Sequence, residues 1–582
     1  MKLNHFSNFK KYPKIILSLL VLAISLFSVA QAQTEITWEK GNTKTSHSDG
    51  LDRPRISPKW AYEPWVWEDM QNTQTSTLSL VNGYLDRGIP VGGTIVDSPW
   101  STGYNNFEWD TTRYPHAQEM IHELHKKGVN VVMWMTGNIN RTSFDAPLSK
   151  STNYDKAVKN GYGLIKPKEY TWWKGTGIHV DVTNPEAKKW FSSELDKIMD
   201  MGVDGFKCDE GVGHLPEEIT TYQGKLSFQQ YKPMWYQFMA DYVTKKKSSA
   251  IITARPFSYQ HGPFHADVKD CIIGWCGDYN GDWDGLTFQM MNLYLSAKAG
   301  YSCLQVEVGG YWSKTSNKLQ LIRYAQFGSL MPSMCNGGMN EGLKNHLPWW
   351  HDEQQGGTET TDIYRYYATL HSELVPFLFS LGVEAHLTGK PIVRNTDLVM
   401  GQHTLGEDIL VGVINNEYLK TMNIPDGEWI DYWNRNKVID GNQTLTISPS
   451  ISQYPIYFRN GSIIPLNVKN AITGNGDENS KGKTTLLIFP DGMSKKTFYK
   501  PNGEGIDYTP VKIEVNQSNG LIKINSEQSQ EWILRVSANE APKAVIGSDS
   551  WSYDQLNHVI IIHKTGSDIQ ISVKGPIGIK NQ

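Results

Sequence analysis

Between Ala61 and Gly382 the sequence alternates short apolar runs with amphipathic runs of helical spacing. The apolar runs are continuous rather than interrupted by polar residues, which indicates strands buried on both faces, as in a parallel sheet. The predicted strands are 91–97, 129–136, 177–184, 203–209, 250–256, 270–278, 303–310 and 330–335. Eight such strands over about 300 residues, most of them followed by helices, predict a (β/α)8 barrel of the α/β class.

Amphipathic runs between these strands predict the helices of the barrel. In the run 116–128, Met120, Ile121 and Leu124 share one face and Gly128 is a stop signal. The other predicted helices are 185–202, 233–247, 285–300 and 317–329. The alternative, an open doubly wound sheet, is disfavoured because no glycine-rich phosphate loop follows the first predicted strand.

After about Thr388 the pattern changes to short strands separated by turns, which is typical of antiparallel β-sandwiches. A polar, glycine-containing segment, 467–483, divides this region in two. The predicted organisation is therefore a catalytic barrel at 58–384, a proximal β-sandwich at 385–467 and a distal β-sandwich at 468–582.

The segment 1–32 has the pattern of a secretory signal peptide. Lysines precede an apolar run, Ile15–Phe27, and Ala30-Gln31-Ala32 follows as a cleavage pattern. We expect a signal peptide at 1–32, a short segment at 33–57, and a periplasmic or secreted protein with no membrane contact after cleavage.

Charge and cysteine content narrow the class of protein further. The formal net charge is −4 and no basic block occurs, which argues against a nucleic-acid partner. Five cysteines, an odd number, all lie in apolar runs, so we expect buried free thiols rather than a disulfide framework.

Acidic residues occur near the ends of five of the predicted strands, where barrel enzymes collect their functional groups. These residues are Asp97, Asp181, Asp209, Asp278 and Glu307. For any one of them a capping or solvated carboxylate is the simpler explanation, but their recurrence at the same strand end favours a functional site.

The strand 203–209 has two different faces. Lys207 and Asp209 share the face that would point into the barrel mouth, whereas Phe206 and Cys208 share the other. A nearby ammonium keeps a carboxyl ionised, and an ionised carboxylate suits a nucleophile. The alternative is a structural Lys–Asp ion pair.

Asp278 follows an apolar strand and is flanked by Trp275 and Trp283. Apolar surroundings raise a carboxyl pKa, which suits a general acid. One charged and one protonated carboxyl is the pairing used in glycoside hydrolysis, although sequence spacing leaves retaining and inverting mechanisms both open.

The sequence does not favour a metal site or a serine nucleophile. His122 and His125 have i,i+3 spacing, but their helix is expected on the outside of the barrel, so no metal site is predicted. No G-x-S-x-G elbow follows a strand, and no cofactor is indicated.

Seven segments in order resemble glycoside hydrolase family 31, over about Pro58–Pro465. They are "SPKWAYEPW", "GIPVGGTIVDSPW" with the following "FEWDTTRYPHAQEMIHELHKKGVNVVMW", "GFKCDEG", "GWCGDYNGDW", "VEVGGYW", "DGEWIDYWN" and "YPIYFRNGSIIPL". The resemblance implies a retaining exo-α-glycosidase that acts on an oligosaccharide or glycoside through a covalent intermediate.

The resemblance also implies roles for particular residues. Asp209 corresponds to the nucleophile and Asp278 to the acid/base, and Asp97 and Arg255 correspond to residues that bind hydroxyls of the released sugar. Further side chains expected to wall the pocket are Trp134, Lys207, Trp275 and Tyr311. The lysine in "GFKCDEG" is typical of the galactosidase- and xylosidase-like branches and favours an α-galactoside or α-xyloside. An α-glucosidase, a transglycosidase and a non-catalytic sugar-binding relative remain alternatives.

The chain also departs from the family pattern. Cys335 and Gly337 stand in place of the usual Arg-x-His near the eighth strand, so we expect Asn336 or Asn340 to contact the sugar instead. Trp275 has the opposite strand parity to Asp278, so its pocket role requires the strand to end early. The family's large N-terminal β-sandwich has no counterpart in 33–57, and we expect loops or a partner to wall that side.

Overall fold

The computed structural model describes residues 53–69, 72–145, 147–209, 215–256, 266–312, 316–339, 344–416 and 420–579. The predicted signal peptide and most of the segment 33–57 lie outside the described residues. Asn340 also lies outside them.

Eight parallel strands close into a barrel, and each hydrogen-bonds to two neighbours. They are β1 Trp65–Glu68, β2 Gly93–Val96, β3 Asn130–Met135, β4 Gly205–Cys208, β5 Ile251–Ala254, β6 Ile273–Trp275, β7 Leu304–Val308 and β8 Ser333–Gly338. Closure is made by β1, which pairs with both β2 and β8. The predicted (β/α)8 architecture is therefore confirmed.

One of the eight predicted strands is wrong. The run 177–184 does not enter the barrel; its strand, Gly175–His179, forms a three-stranded antiparallel sheet with Asn138–Ser143 and Tyr170–Trp172, inserted between β3 and β4. Residues 177–179 are buried within this insert, so consecutive buried positions here resemble those of a barrel strand. The missing barrel strand is β1, whose run "WVW" is too short to show a period.

Helices follow most of the strands and cover the outside of the barrel. They are α1 Gln74–Leu85, α2 Ala117–Lys126, α3 Asn153–Lys159, α4 Pro185–Met199, α5 Phe228–Lys246, α6 Trp283–Lys298, α7 Lys318–Ser329, α8 Pro348–Gln355 and α9 Glu359–Thr388, with 3-10 turns at Lys59–Tyr62 and Val268–Asp270. Helix α5 begins ahead of the predicted start at 233, because Ser227 and Gln230 form a capping box there. Among the described helices, none combines the length and apolar character needed to cross a bilayer.

Side chains alternate between the inside of the barrel and the surrounding helices. Outward residues include Val306 and Met334, which lie against Gly328 of α7. Inward residues fill the barrel: near its amino-terminal end Trp65 stacks on Trp60, with ring centroids 5.2 Å apart. This packed floor leaves the carboxyl ends of the strands as the open end, where polar side chains gather.

Beyond α9 the chain forms β-sheet domains. A six-stranded antiparallel sheet consists of Val393–Asp397, Gln402–Leu405, Ile409–Gly412, Glu428–Asp431, Val438–Asp440 and Ile456–Arg459, and beside it Lys420–Ile424 pairs with Gln443–Ile447. The distal sheet has eight strands, Ile463–Leu466, Thr484–Ile488, Met493–Pro501, Tyr508–Asn516, Leu521–Ser537, Ala544–Ile546, Ser550–Asp554 and Val559–Lys574, and a 3-10 turn lies at Glu478–Ser480. Because Ile463–Leu466 pairs with Thr484–Ile488, the distal sheet begins before the expected boundary at 467/468.

Candidate active site

Arg255, the first residue after β5, joins the two carboxylates expected to act in catalysis. Its Nη2 donates to Asp209 Oδ1 and to Asp278 Oδ2, each at 3.0 Å. Because both oxygens contact the same nitrogen, their separation is at most twice that distance. Barrel closure thus brings together two residues that are far apart in the sequence.

Asp209 is held at the end of β4 by its backbone and its side chain. Its backbone N–H donates to Met135 O at 2.9 Å, and its Oδ2 accepts from Trp134 Nε1 at 3.0 Å. The side chain is 13 % exposed. The Trp134 indole N–H and the Arg255 guanidinium thus both donate to the carboxylate, and these two bonds favour its ionised form, the form in which it can attack carbon.

Asp278 lies three residues beyond β6 and has a different environment. Its side chain is 27 % exposed and its φ is +73°, an uncommon conformation for a residue other than glycine. Burial raises its pKa above the usual range, Arg255 opposes that rise, and the charge of Asp209 adds to it. Since β6 ends at Trp275, that indole faces the barrel interior despite its parity relative to Asp278.

Lys207 pairs with Asp97 rather than with Asp209. Its Nζ lies 2.9 Å from Asp97 Oδ2, and both side chains are buried. The ammonium also lies over the rings of Trp67 and Trp275, 3.6 and 4.2 Å from their centroids. The ion pair of Lys207 therefore runs across the barrel mouth to Asp97, while the charge of Asp209 is still near enough to act on the ammonium.

The pKa values of both Lys207 and Asp97 differ from their ordinary values. Burial raises the pKa of Asp97 to about 7, although the charge of Lys207 lowers it. Burial lowers the pKa of Lys207, but the charges of Asp97, Asp209 and Glu307 outweigh this and the pKa ends above its usual value. The ammonium therefore stays charged at neutral pH.

A further part of the site consists of Tyr311, Trp67 of β1 and Asp69, which follows β1. The Tyr311 ring stacks on Trp67, with centroids 6.1 Å apart, and its hydroxyl donates to Asp69. Sequence analysis missed Trp67 and Asp69 because it missed β1. The sequence pattern that could have revealed them is the one used for the other strands, in which an acidic residue follows a short apolar run.

Asn336 is not in the mouth of the barrel, so the expectation that it contacts the sugar is wrong. It lies on the outward face of β8, two residues after Met334, and its Nδ2 donates to His346 O at 3.1 Å. The inward positions are Cys335 and Gly337. A Cβ on Gly337 would lie 1.9 Å from Trp67 O and 2.6 Å from its Cδ1, so Trp67 occupies the space of a side chain from β8.

The inserted sheet packs against the site beside the nucleophile. Trp172 of the insert lies parallel to Trp134, with centroids 6.4 Å apart, and Tyr104 contacts both rings edge-on. Trp134 is 3 % exposed as a result. Among the described residues, Trp172 and Tyr104 thus enclose this side of the site.

Asp181 is separate from this cluster. Its Oδ1 accepts from the backbone and hydroxyl of Thr183, and its Oδ2 accepts from the Tyr222 backbone at 2.6 Å. It stabilises a turn, which was the alternative considered for each strand-end acid.

The other reactive side chains have structural surroundings. All five cysteines are buried and none forms a disulfide, as predicted, and burial raises the pKa of Cys208 well above its usual value. His125 lies on the outside of the barrel, 2.8 Å from Asp204. Within the described ranges, no group of three or more His, Cys, Asp or Glu side chains is arranged to hold a metal ion.

Two family models match the chain. The glycosyl hydrolases family 31 TIM-barrel domain matches residues 54–381, and the family's C-terminal domain matches residues 389–464. The matched parts are the barrel and the proximal sheets.

Individual relatives are distant. An α-glucosidase 2 from Bacillus thermoamyloliquefaciens is 25% identical over 82% of this chain and 62% of its own length. An α-xylosidase from Emericella nidulans is 23% identical over 72% of this chain and 55% of its own. The structure of a cycloalternan-forming enzyme from Listeria monocytogenes superposes with a TM-score of 0.78 at 18% identity, covering 90% of this chain and 54% of that one. The chain thus spans less than two thirds of the length of these relatives, and the solved structure supports the fold.

Proposed function

Because the chain belongs to glycoside hydrolase family 31, we propose that it is a retaining exo-α-glycosidase that forms a covalent glycosyl ester with Asp209. The observation that carries this proposal is the bridge made by Arg255, which limits the separation of the two carboxylate oxygens to twice 3.0 Å. Retaining glycosidases place their carboxyls about 5–5.5 Å apart, whereas inverting enzymes need about 6.5–9.5 Å to admit water between them.

In the first step, an Asp209 oxygen attacks the anomeric carbon of the α-linked sugar. The bond from that carbon to the glycosidic oxygen breaks, and the departing oxygen takes the proton of Asp278. In the second step, Asp278 accepts a proton from water as the water oxygen bonds to the anomeric carbon. The ester bond to Asp209 breaks, the α-configuration is restored and both carboxyl groups return to their starting states.

The different surroundings of the two carboxyls support this division of roles. Burial raises the pKa of Asp278, so it retains its proton at a higher pH than an ordinary aspartic acid. Asp209 instead accepts hydrogen bonds from Arg255 and Trp134. Lys207, Asp97, Trp275 and Tyr311 surround them and are proposed to bind the sugar.

We propose an α-galactoside or α-xyloside as the substrate, on the basis of the lysine in the nucleophile segment. The α-xylosidase among the relatives is consistent with the second choice, and the α-glucosidase keeps an α-glucoside as an alternative. If a sugar hydroxyl replaces water in the second step, the product is a transferred glycoside. A panel of aryl α-glycosides, with product analysis, identifies both the sugar and the acceptor.

We also propose that the protein is exported, on the basis of the signal-peptide pattern at 1–32. Fractionation of producing cells should find the mature chain in the periplasm or the medium. Retention of the full-length chain in the cytoplasm would contradict the proposal.

The catalytic roles are tested with Asp209→Ala and Asp278→Ala. We expect Asp209→Ala to abolish turnover, and a 5-fluoroglycosyl fluoride to label Asp209 in the unmodified enzyme. We expect Asp278→Ala to slow substrates with poor leaving groups about 10²–10⁴-fold, and to affect bond cleavage in activated substrates far less because these need no proton.

Asp284→Ala serves as the control, since this residue is exposed in the first turn of α6. It should retain full activity. If Asp278→Ala slowed turnover of activated and unactivated substrates equally, the acid/base role would be refuted. Absence of both labelling and turnover in the unmodified protein would favour a non-catalytic sugar-binding protein.

A further inference from the structure

Glu307, near the end of β7, is a buried carboxylate that the proposed reaction does not use. It is 1 % exposed. Its Oε1 accepts from Trp275 Nε1 at 2.6 Å and its Oε2 accepts from the Asp278 backbone N–H at 3.1 Å. These two donors belong to the first and last residues of the turn 275–278, so one carboxylate makes hydrogen bonds to both ends of the turn.

The turn fits closely against these two hydrogen bonds. A Cβ on Gly277 would lie 2.1 Å from Trp275 Nε1 and 2.5 Å from Glu307 Oε2, so only glycine fits between them. The next residue, Asp278, has φ +73°. An uncommon backbone conformation of this kind persists only where its surroundings hold it, and the Glu307 bond is made to that very residue.

Both contacts are made by N–H donors, one to each oxygen of Glu307. An ionised carboxylate accepts both, whereas an amide in the same place would set its own NH2 group against one of the two donors. A positive charge is close, because Lys207 lies over the Trp275 ring. Burial raises the pKa of Glu307 to about 7 and the charge of Asp278 adds to this, while Lys207 and the two N–H donors lower it. Glu307 and Asp278 thus compete for a proton, and the two N–H donors favour the state in which Glu307 is ionised and Asp278 holds the proton.

We propose that Glu307 is a positioning residue that fixes the backbone of Asp278 and so aims its carboxyl at the departing oxygen. This inference rests on the proposed function, in which Asp278 is the acid. It predicts a specific defect: loss of Glu307 harms the reaction in proportion to how much the leaving group needs a proton.

The test measures kcat and KM of Glu307→Gln on aryl α-glycosides with a range of leaving-group pKa. We expect kcat/KM to fall about 10–100-fold for the poorest leaving group and less than about threefold for the best, mainly through kcat. We also expect the alkaline limb of the kcat/KM profile to move to lower pH, because removal of a neighbouring negative charge lowers the pKa of Asp278.

Gly277→Ala is a second, independent variant. It keeps the Glu307 carboxylate but forces a methyl group between it and the turn, so it should steepen the leaving-group dependence in the same direction. The matched control is Gln305→Ala, on the same face of β7 two residues earlier, where Nε2 donates to Ser333 Oγ at 3.1 Å. The control should change stability without changing the leaving-group dependence.

If Glu307→Gln lowered kcat/KM equally for all leaving groups, or left the pH profile of kcat/KM unchanged, the positioning role would be overturned and Glu307 would be a structural residue. Failure of the proposed function would be visible separately, since the unmodified enzyme would then show neither turnover nor labelling at Asp209.

Discussion

Lys207 is a buried cation whose charge is neutralised from several sides. Asp97 accepts a hydrogen bond from its ammonium, and the indoles of Trp67 and Trp275 both lie within cation–π distance of it. A buried charge of this kind is stable only with its partner, because an unpaired ion in the interior has lost its hydration without compensation.

We expect Lys207→Met to lower the free energy of unfolding by about 3–5 kcal/mol, because it leaves the Asp97 carboxyl without its counter-charge. Urea denaturation followed by tryptophan fluorescence measures this loss. The double variant Lys207→Met with Asp97→Leu removes both charges and should recover most of the stability while remaining inactive. If the single variant were as stable as the unmodified protein, the ion pair would have no structural role.

At the scale of elements, β4 depends on close approach to its neighbour β5. Gly205 pairs with Ile251, and a Cβ at that glycine would lie 2.2 Å from Ile251 O. Its φ of +155° is also unfavourable for other residues. This contact sets the spacing of the two strands that carry Asp209 and Arg255.

We therefore expect Gly205→Ala to destabilise the barrel by about 1–3 kcal/mol, the usual cost of forcing an extra methyl group into a filled interior. Gly505→Ala is the control, since its Cβ would meet nothing closer than 3.8 Å and its φ is not positive. It should change stability by less than about 0.5 kcal/mol. Equal stability of the two variants in denaturant titration would contradict this account of the strand spacing.

At the scale of the whole molecule, Glu373 of α9 connects the barrel to the segment between the first two strands of the distal sheet. Its carboxylate accepts from Thr473 Oγ1 at 2.7 Å and from Asn475 Nδ2 at 2.8 Å, and its backbone carbonyl accepts from Asn467. Burial raises its pKa to about 7, although the bonds from Asn475 and Thr473 lower it. The folded protein therefore binds this proton more tightly than the unfolded chain does.

The raised pKa of Glu373 makes its contribution to stability depend on pH. That contribution is fully present below the ordinary value of 4.5 and is lost as pH rises through about 7. The change amounts to about 3 kcal/mol at most. We expect Glu373→Gln to remove this slope, so that the variant gains stability relative to the unmodified protein between pH 5 and pH 8.

Urea denaturation across that pH range measures the difference. Glu353→Gln, an exposed position on α8, is the control and should follow the unmodified protein at every pH. A constant difference between Glu373→Gln and the unmodified protein would show that Glu373 does not titrate in this range.

Much of this protein could be read from local sequence. Continuous apolar runs predicted a parallel barrel because strands buried on both faces cannot alternate in polarity. Asp209 and Asp278 could be singled out as candidates because each follows such a run, and the structure places both against Arg255. Side-chain alternation within 203–209 correctly separated Lys207 from Cys208. Helix α4 was also readable, since Asn184 and Pro185 are local start signals.

The remaining features depend on which segments meet in space. Burial on both faces also occurs in the inserted sheet, so the run 177–184 was predicted as a barrel strand, while the short β1, with Trp67 and Asp69, was not. The pairing of Lys207 with Asp97, the bridge made by Arg255 and the outward direction of Asn336 all follow from barrel closure and strand register. These long-range contacts join residues that no local spacing relates, because closure of the barrel, and not the sequence around a side chain, decides which residues meet.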